Sequence, residues 1–213
     1  LLPGTAGDLA RTRAKPDVAA AGRYAADMAL QDGTYRIGPD VGRLLVHTGR
    51  TGLGSKAGHD LTLGATSWSG TVVVDTGDPA RSSVTIDVRV ASLHVVSGSG
   101  GVKPLTDSDR ADIERIMRDK VLDAARHPTI TFRSTRVSGT LESFTVDGEA
   151  TIMGTPRPVT ASGSADADGR VRARATVPQS RWGIKPYSAF FGALKVADDV
   201  VIEVEVALEA PSP

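Results

Sequence analysis

The sequence predicts a mainly β protein: an antiparallel barrel or sandwich of about eight or nine strands with a single amphipathic helix at its flank. Three observations predict it. Apolar and polar residues alternate with period two over most of the chain beyond residue 32. Turn residues recur between these runs at hairpin spacing, as "TGDPA" after "TVVVD", Asp147-Gly148 after "SFTV", and "DADG" between two alternating runs. Only "TDSDRADIERIMRDKVLDAAR" carries a sustained helical period.

Residues 1–32 are Ala, Gly, Asp and Arg with little periodicity, although "DVAAAGRYAADMALQ" places Tyr24 and Met28 one helical turn apart. They are expected to form a flexible or loosely docked extension. The organised domain is expected over residues 33–210, starting at "GTYRIG". "GRLLVHTG", "HDLTLGAT" and "TVVVD" read as strands, and "SVTIDVRV" sets Val84, Ile86, Val88 and Val90 against Thr85, Asp87 and Arg89. "SGSGGVKPL" reads as a Gly-rich link to the helix. In the helix, Ile113, Ile116, Met117, Val121 and Ala124 recur on one face, Thr106 and Asp109 have capping-box spacing, and His127-Pro128 marks the end.

After the helix, "ITFRSTRV" and "EATIMG" lead to the hairpin around "DADG". One face of this hairpin carries Val159, Ala161, Gly163 and Ala165 on one strand and Val171, Ala173, Ala175 and Val177 on the other. Small residues there leave room either for a ligand inside a barrel of about eight strands or for a closely packed helix, and the residues alone leave both open. Arg170, Arg172 and Arg174 stand on the opposite face, where they solvate the exterior or hold an anion. "VVIEVEVAL" closes the series of strands, resuming at Val200 after "SRWGIKPYSAFFGALK". That last stretch holds Trp182, Tyr187, Phe190 and Phe191, four of nine aromatic residues. Its Gly and Pro residues predict a loop at a barrel end, where Tyr187, Phe190 and Phe191 form an apolar lip with Trp182 packed at the strand end and Arg181 or Lys185 facing a polar head, or where the rings fold inward as an end plug.

Composition limits the function. The 213 residues suit one large domain or two small ones, and the absence of Cys removes disulfides and thiolate metal sites. Twenty-five basic and twenty-five acidic residues balance, so a nucleic-acid partner is not expected. No apolar run is long enough to cross a bilayer, and a cytoplasmic location is expected for the sequence as shown, or a periplasmic or secreted one if a targeting segment preceded Leu1. His47, His59, His94 and His127 are scattered without metal-ligand spacing. His59 beside Asp60 is the best acid/base candidate, but neighbouring strand residues point to opposite faces. No Gly-x-Ser-x-Gly elbow and no phosphate-binding glycine motif lies between a strand and a helix.

Several motifs together resemble the YceI-like family: "HPTITFRSTRV", "VDGEATIMGTPRPVTASG" and "SRWGIKPYSAFFGALKVADDVVIEVEVAL", with "GTYRIGPD" and "GHDLTL" nearer the start. They span about Gly33 to Ala210. The resemblance implies an extended antiparallel lipocalin-like β-barrel with a flanking helix, which binds a long isoprenoid, an isoprenoid quinone or a similar amphiphile without a metal, another cofactor or catalytic residues. Where the family commonly has a His-Ser pair after the first strand, this chain has Arg43-Leu44. The expected bore lining is Leu44, Val46, Ile86, Val88, Ala161, Ala173, Ala175 and Val204; His59, Arg181, Trp182, Tyr187, Phe190 and Phe191 complete the expected ligand contacts. A lipid carrier is the first reading. A packed-barrel stress-response or interaction scaffold and a barrel enzyme using His59 are the alternatives, and a homodimer is compatible with each.

Overall fold

The computed structural model describes residues 30–166 and 168–208. Eleven strands form one continuous antiparallel sheet: β1 (Gly33–Ile37), β2 (Gly42–Thr51), β3 (His59–Ala65), β4 (Trp68–Val74), β5 (Ser83–Arg89), β6 (Leu93–Gly100), β7 (Thr129–Gly139), β8 (Phe144–Ile152), β9 (Thr155–Ala165), β10 (Arg170–Pro178) and β12 (Leu194–Ala207). The two-residue β11 (Ser188–Ala189) pairs with the start of β12. Their order is β1-β4-β5-β7-β8-β9-β10-β12-β2-β3-β6. The sheet curls into a lipocalin-like half-barrel, with β1 and β6 as its edges and more strands than the eight or nine expected. Consecutive β3 and β4 do not pair; the chain turns a corner between Ala65 and Trp68, which places both in the core.

The alternation that predicted the strands sorts their faces. Leu44 and Val46 on β2 and Val204 and Val206 on β12 point inward, while Arg43 and Glu205 meet outside at 2.6 Å. Glu205 also accepts from Arg170 at 2.9 Å, so the arginine row on β10 is an ion-paired exterior.

Helix α1 (Asp107–Ile116) starts in the capping box expected: the Thr106 hydroxyl accepts from the Asp109 amide, and the Asp109 carboxylate accepts from the Thr106 amide. It ends earlier than its apolar period suggested. Residues Met117–Val121 widen into a π-turn and Asp123 takes a left-handed conformation (φ 44°), which lets Met117, Val121, Leu122 and Ala124 all reach the interior. The helix also finishes the sheet edge. Glu114 accepts from the Val95 amide at 2.8 Å, and Arg110 donates to the Val95 and Val96 carbonyls at 3.2 and 3.3 Å. Two side chains one turn apart thus satisfy β6 backbone groups that a further strand would otherwise take.

Three local expectations are corrected. Asp147-Gly148 is not a turn but the middle of β8. Gly148 is small because the Phe132 ring and the Arg133 carbonyl occupy the place of a side chain. The turns lie instead at Thr140–Ser143 and at Met153-Gly154. Second, "SGSG" belongs to β6 rather than to the link: Leu105 folds over Gly98, and the Arg50 guanidinium lies where a Gly100 side chain would project. Third, the last long strand starts at Leu194, not Val200, and a bulge between Val196 and Val200 interrupts its ladder with β2.

The expected N-terminal extension falls mostly on residues 1–29, outside the described residues. Its last three residues are docked: Leu30 packs on the core, the Gln31 carbonyl accepts from the Tyr35 hydroxyl at 2.7 Å, and Asp32 accepts from the Thr76 amide and hydroxyl, both at 2.7 Å.

Candidate ligand-binding site

Inward-facing side chains of β2, β4, β5, β7, β8, β9, β10 and β12 enclose a cavity of about 560 Å³. Its wall is aliphatic or aromatic, and its polar groups sit chiefly at the rim: Asp75, Thr76 and Ser82 between β4 and β5, and Thr140 and Glu142 between β7 and β8. Hydrogen bonds from the Thr140 hydroxyl and from its own backbone amide hold the Glu142 carboxyl below the usual carboxylate range. Thr76 holds Asp32 low in the same way, so the rim stays anionic at neutral pH.

A second cavity of about 210 Å³ adjoins the first, between α1 with its π-turn and the strand ends, where Leu61, Ile113, Met117, Ile184 and Tyr187 line it. The two share Val46, Leu93, Ile130, Ile152, Val177 and Ile202, so these six side chains stand between a larger and a smaller apolar chamber. Among the described residues no polar or charged residue is buried. Nor do three His, Asp or Glu side chains among them converge as a metal requires.

The space exists because of small residues on the β9–β10 hairpin. Ala161, Ala173 and Ala175 form the wall there, with Val204 directly beside Ala173 on β12 and Leu44 and Val46 on the next strand, and Ile86 and Val88 come from β5; all eight expected lining residues face the larger chamber. Gly163 does not, because the Phe144 ring stands over it. Phe132 covers Gly148 likewise, so two rings lie along the wall. Neither phenylalanine was among the expected contacts, though Phe132 shares the inward parity of Ile130 in "TITFRST".

The remaining expected residues lie away from the larger chamber. The His59 ring donates through Nε2 to the Lys103 carbonyl at 2.8 Å and ties the β6–α1 link to β3; it lines neither chamber. Its neighbour Asp60 faces Arg50 at 3.6 Å. Trp182 is 4% exposed, donates to the Ala150 carbonyl at 3.1 Å and packs with Ile152, Val177, Ile184 and Val200. Arg181 lies over the Trp182 ring at 5.7 Å. Tyr187 lines the smaller chamber, whereas Phe191 projects fully into solvent. The Phe190 side chain lies outside the described residues. The aromatic stretch is therefore divided among core, chamber wall and solvent rather than acting as one unit.

The family model for the YceI-like domain matches residues 47–208. The chain belongs to the YceI-like family. Among solved structures, this YceI-like chain is similar to BcnA of Burkholderia cenocepacia, at 17% identity over 78% of this chain and 94% of that one, with a TM-score of 0.57. A polyisoprenoid-binding domain from Saccharophagus degradans, implicated in plant cell wall breakdown, aligns at 11% identity over 83% and 99% of the two chains (TM-score 0.48). The YceI protein of Campylobacter jejuni aligns at 15% identity over 68% and 81% (TM-score 0.47). Curated proteins offer no match. The departure at Arg43-Leu44 has a clear structural form in this YceI-like chain: Arg43 points outward to Glu205, and Leu44 adds an aliphatic side chain to the bore.

Proposed function

We propose that this YceI-like barrel binds a long-chain isoprenoid or similar amphiphile in its bore, as a carrier or store and without catalysis. The observation that supports it is the uninterrupted apolar wall of the two adjoining chambers, with polar groups at the rim. Each methylene moved from water into such a wall contributes about 0.8 kcal/mol. A few isoprene units then supply on the order of 10 kcal/mol before ordering costs, enough for binding without any buried polar contact. Selectivity rests on the six side chains between the chambers, whose rotamers set how much chain passes from one into the other. His59, spent on a link carbonyl outside both chambers, has no part in this function.

Ala173→Phe with Ala175→Phe fills the bore from the β10 wall, where empty space rather than packed atoms receives the rings. A fluorescent polyprenol probe is expected to lose at least about tenfold in affinity while the unfolding midpoint holds or rises. Unchanged probe affinity in the filled variant would refute bore binding. Native mass spectrometry of the purified wild type, followed by lipid extraction, identifies the natural occupant.

A further inference from the structure

Among the described residues, Leu53, Val96, Val102, Leu141, Tyr187 and Phe191 are the exposed large hydrophobic residues. Scattered singly, such residues need no explanation. Four of the six are not scattered. Leu53 is on the β2–β3 loop, Val102 on the β6–α1 link, and Tyr187 and Phe191 flank β11. These three segments are fastened at one end of the sheet: the Gly54 amide donates to the Ala193 carbonyl at 2.8 Å, His59 holds the Lys103 carbonyl, and Arg50 donates to the Gly58 and Ser99 carbonyls. The tips are almost wholly in water, with Leu53 at 103%, Val102 at 81% and Phe191 at 112% of full exposure. Phe191 is held outward in a left-handed conformation (φ 55°), costly for a side chain that would gain by burial.

The same segments carry Lys56, Lys103, Lys185 and Lys195, four of the six lysines in the chain, all exposed and none in an ion pair among the described residues. Of the acids nearby, Asp60 faces Arg50, Asp109 is held in the helix cap and Asp198 accepts from Ser180, while Asp107 lies in the first turn of α1 and Asp199 on the β12 bulge. The rim of the larger chamber is opposite in character, with Asp32, Asp75 and Glu142, and with Arg81 paired to Asp75.

From this pattern we infer that the Leu53–Val102–Phe191 end is a docking surface for an anionic lipid bilayer. The three apolar tips enter the headgroup boundary and the four lysines meet lipid phosphates, as in interfacial anchors that combine apolar insertion with basic charge. Tyr187 belongs both to this surface and to the wall of the smaller chamber, so docking brings that chamber against the membrane. A tail then passes between bilayer and bore without crossing water. This step rests on the lipid-binding reading above; the docking itself does not.

Vesicle flotation of the full chain tests the two separately. With equimolar phosphatidylcholine and phosphatidylglycerol, wild type is expected to float, less so as salt rises, and to float little with phosphatidylcholine alone. Leu53→Ser with Val102→Ser and Phe191→Ser, and separately Lys56→Gln with Lys103→Gln, Lys185→Gln and Lys195→Gln, should each weaken binding by about tenfold or more. Val96→Ser, on the β6 exterior away from this end, should bind as wild type. Binding of a soluble polyprenol probe in vesicle-free solution reads the bore alone, and the serine variant should retain it. Vesicle binding without probe binding would uphold docking and remove the bore function. Failure of wild type to bind anionic vesicles, equal binding by the serine variant, or a stable dimer in which these tips are buried would overturn docking.

Discussion

Trp182 and Phe191 stand nine positions apart in one aromatic stretch, yet their substitution should have opposite consequences. The Trp182 indole is 4% exposed, is surrounded by Ala150, Ile152, Val177, Ile184 and Val200, and donates to the Ala150 carbonyl at 3.1 Å. Truncating a buried Trp to Ala costs about 3–5 kcal/mol through lost transfer energy and the cavity left behind. The lost hydrogen bond is a part of this, about 1 kcal/mol. With a urea slope of about 2–3 kcal/mol per molar, the midpoint of Trp182→Ala should fall by about 1–2.5 M. Phe191→Ser removes a ring that touches mainly water, so its effect should stay within about 0.5 kcal/mol. Equilibrium urea unfolding, followed by far-UV circular dichroism and fitted with a common slope, compares the two. If Phe191→Ser loses as much as Trp182→Ala, the tip is buried and both the divided stretch and the docking surface fall together.

Three other outcomes follow from the same geometry. Arg110→Ala or Glu114→Ala should cost about 1–2 kcal/mol and speed hydrogen exchange at the Val95 amide, because each strips a partner from the β6 edge; unchanged exchange would show that water replaces the helix side chains at no cost. Gly148→Ala places a methyl against the Phe132 ring and the Arg133 carbonyl, and should lower thermal stability by about 1–3 kcal/mol, with partial recovery on adding Phe132→Leu. Arg170 and then Arg43 hold the Glu205 carboxyl below its ordinary value of 4.5. Its contribution is therefore present above that unfolded value and disappears as pH falls through the lower folded one. Glu205→Gln should flatten the acid limb of the stability profile, and an acid limb identical to wild type would refute the pairing.

The sheet was legible wherever one strand face meets the bore and the other meets water. Leu44 to Val46, Ile86 to Val88 and Ala173 to Val177 alternate cleanly, and their inward residues all line the larger chamber. The capping box was legible too, since Thr106 and Asp109 need only each other. Legibility ended where a glycine answers to a distant residue. Gly148 beside Asp147 has the local chemistry of a turn, and only the Phe132 ring across the ladder explains it within a strand. Gly98 and Gly100 likewise yield to Leu105 and Arg50. The early end of α1 follows from the need to turn Leu122 and Ala124 inward, a tertiary demand that helical periodicity does not express. At the site, alternation identified inward residues, but nothing in the sequence separated Tyr187 on the chamber wall from Phe191 in solvent, because both lie on irregular backbone without a period.

The pairing of β2 with β12 has a consequence for biosynthesis. Leu44 lies beside Val204 and Val46 beside Ile202, although more than 150 residues separate the partners along the chain. On a ribosome working from the N-terminus, β2 and β3 emerge early, yet one edge of β2 has no partner until the last long strand has left the exit tunnel. During that interval Leu44 and Val46 form an aliphatic stripe on an open edge, which is a ready template for another nascent chain. The loop closed last is among the longest available, so its search is slow compared with that of the β7–β8 or β9–β10 hairpins. Refolding should therefore show early hairpin formation followed by a late step that seals the β2–β12 seam, and the yield should depend on protein concentration through that step.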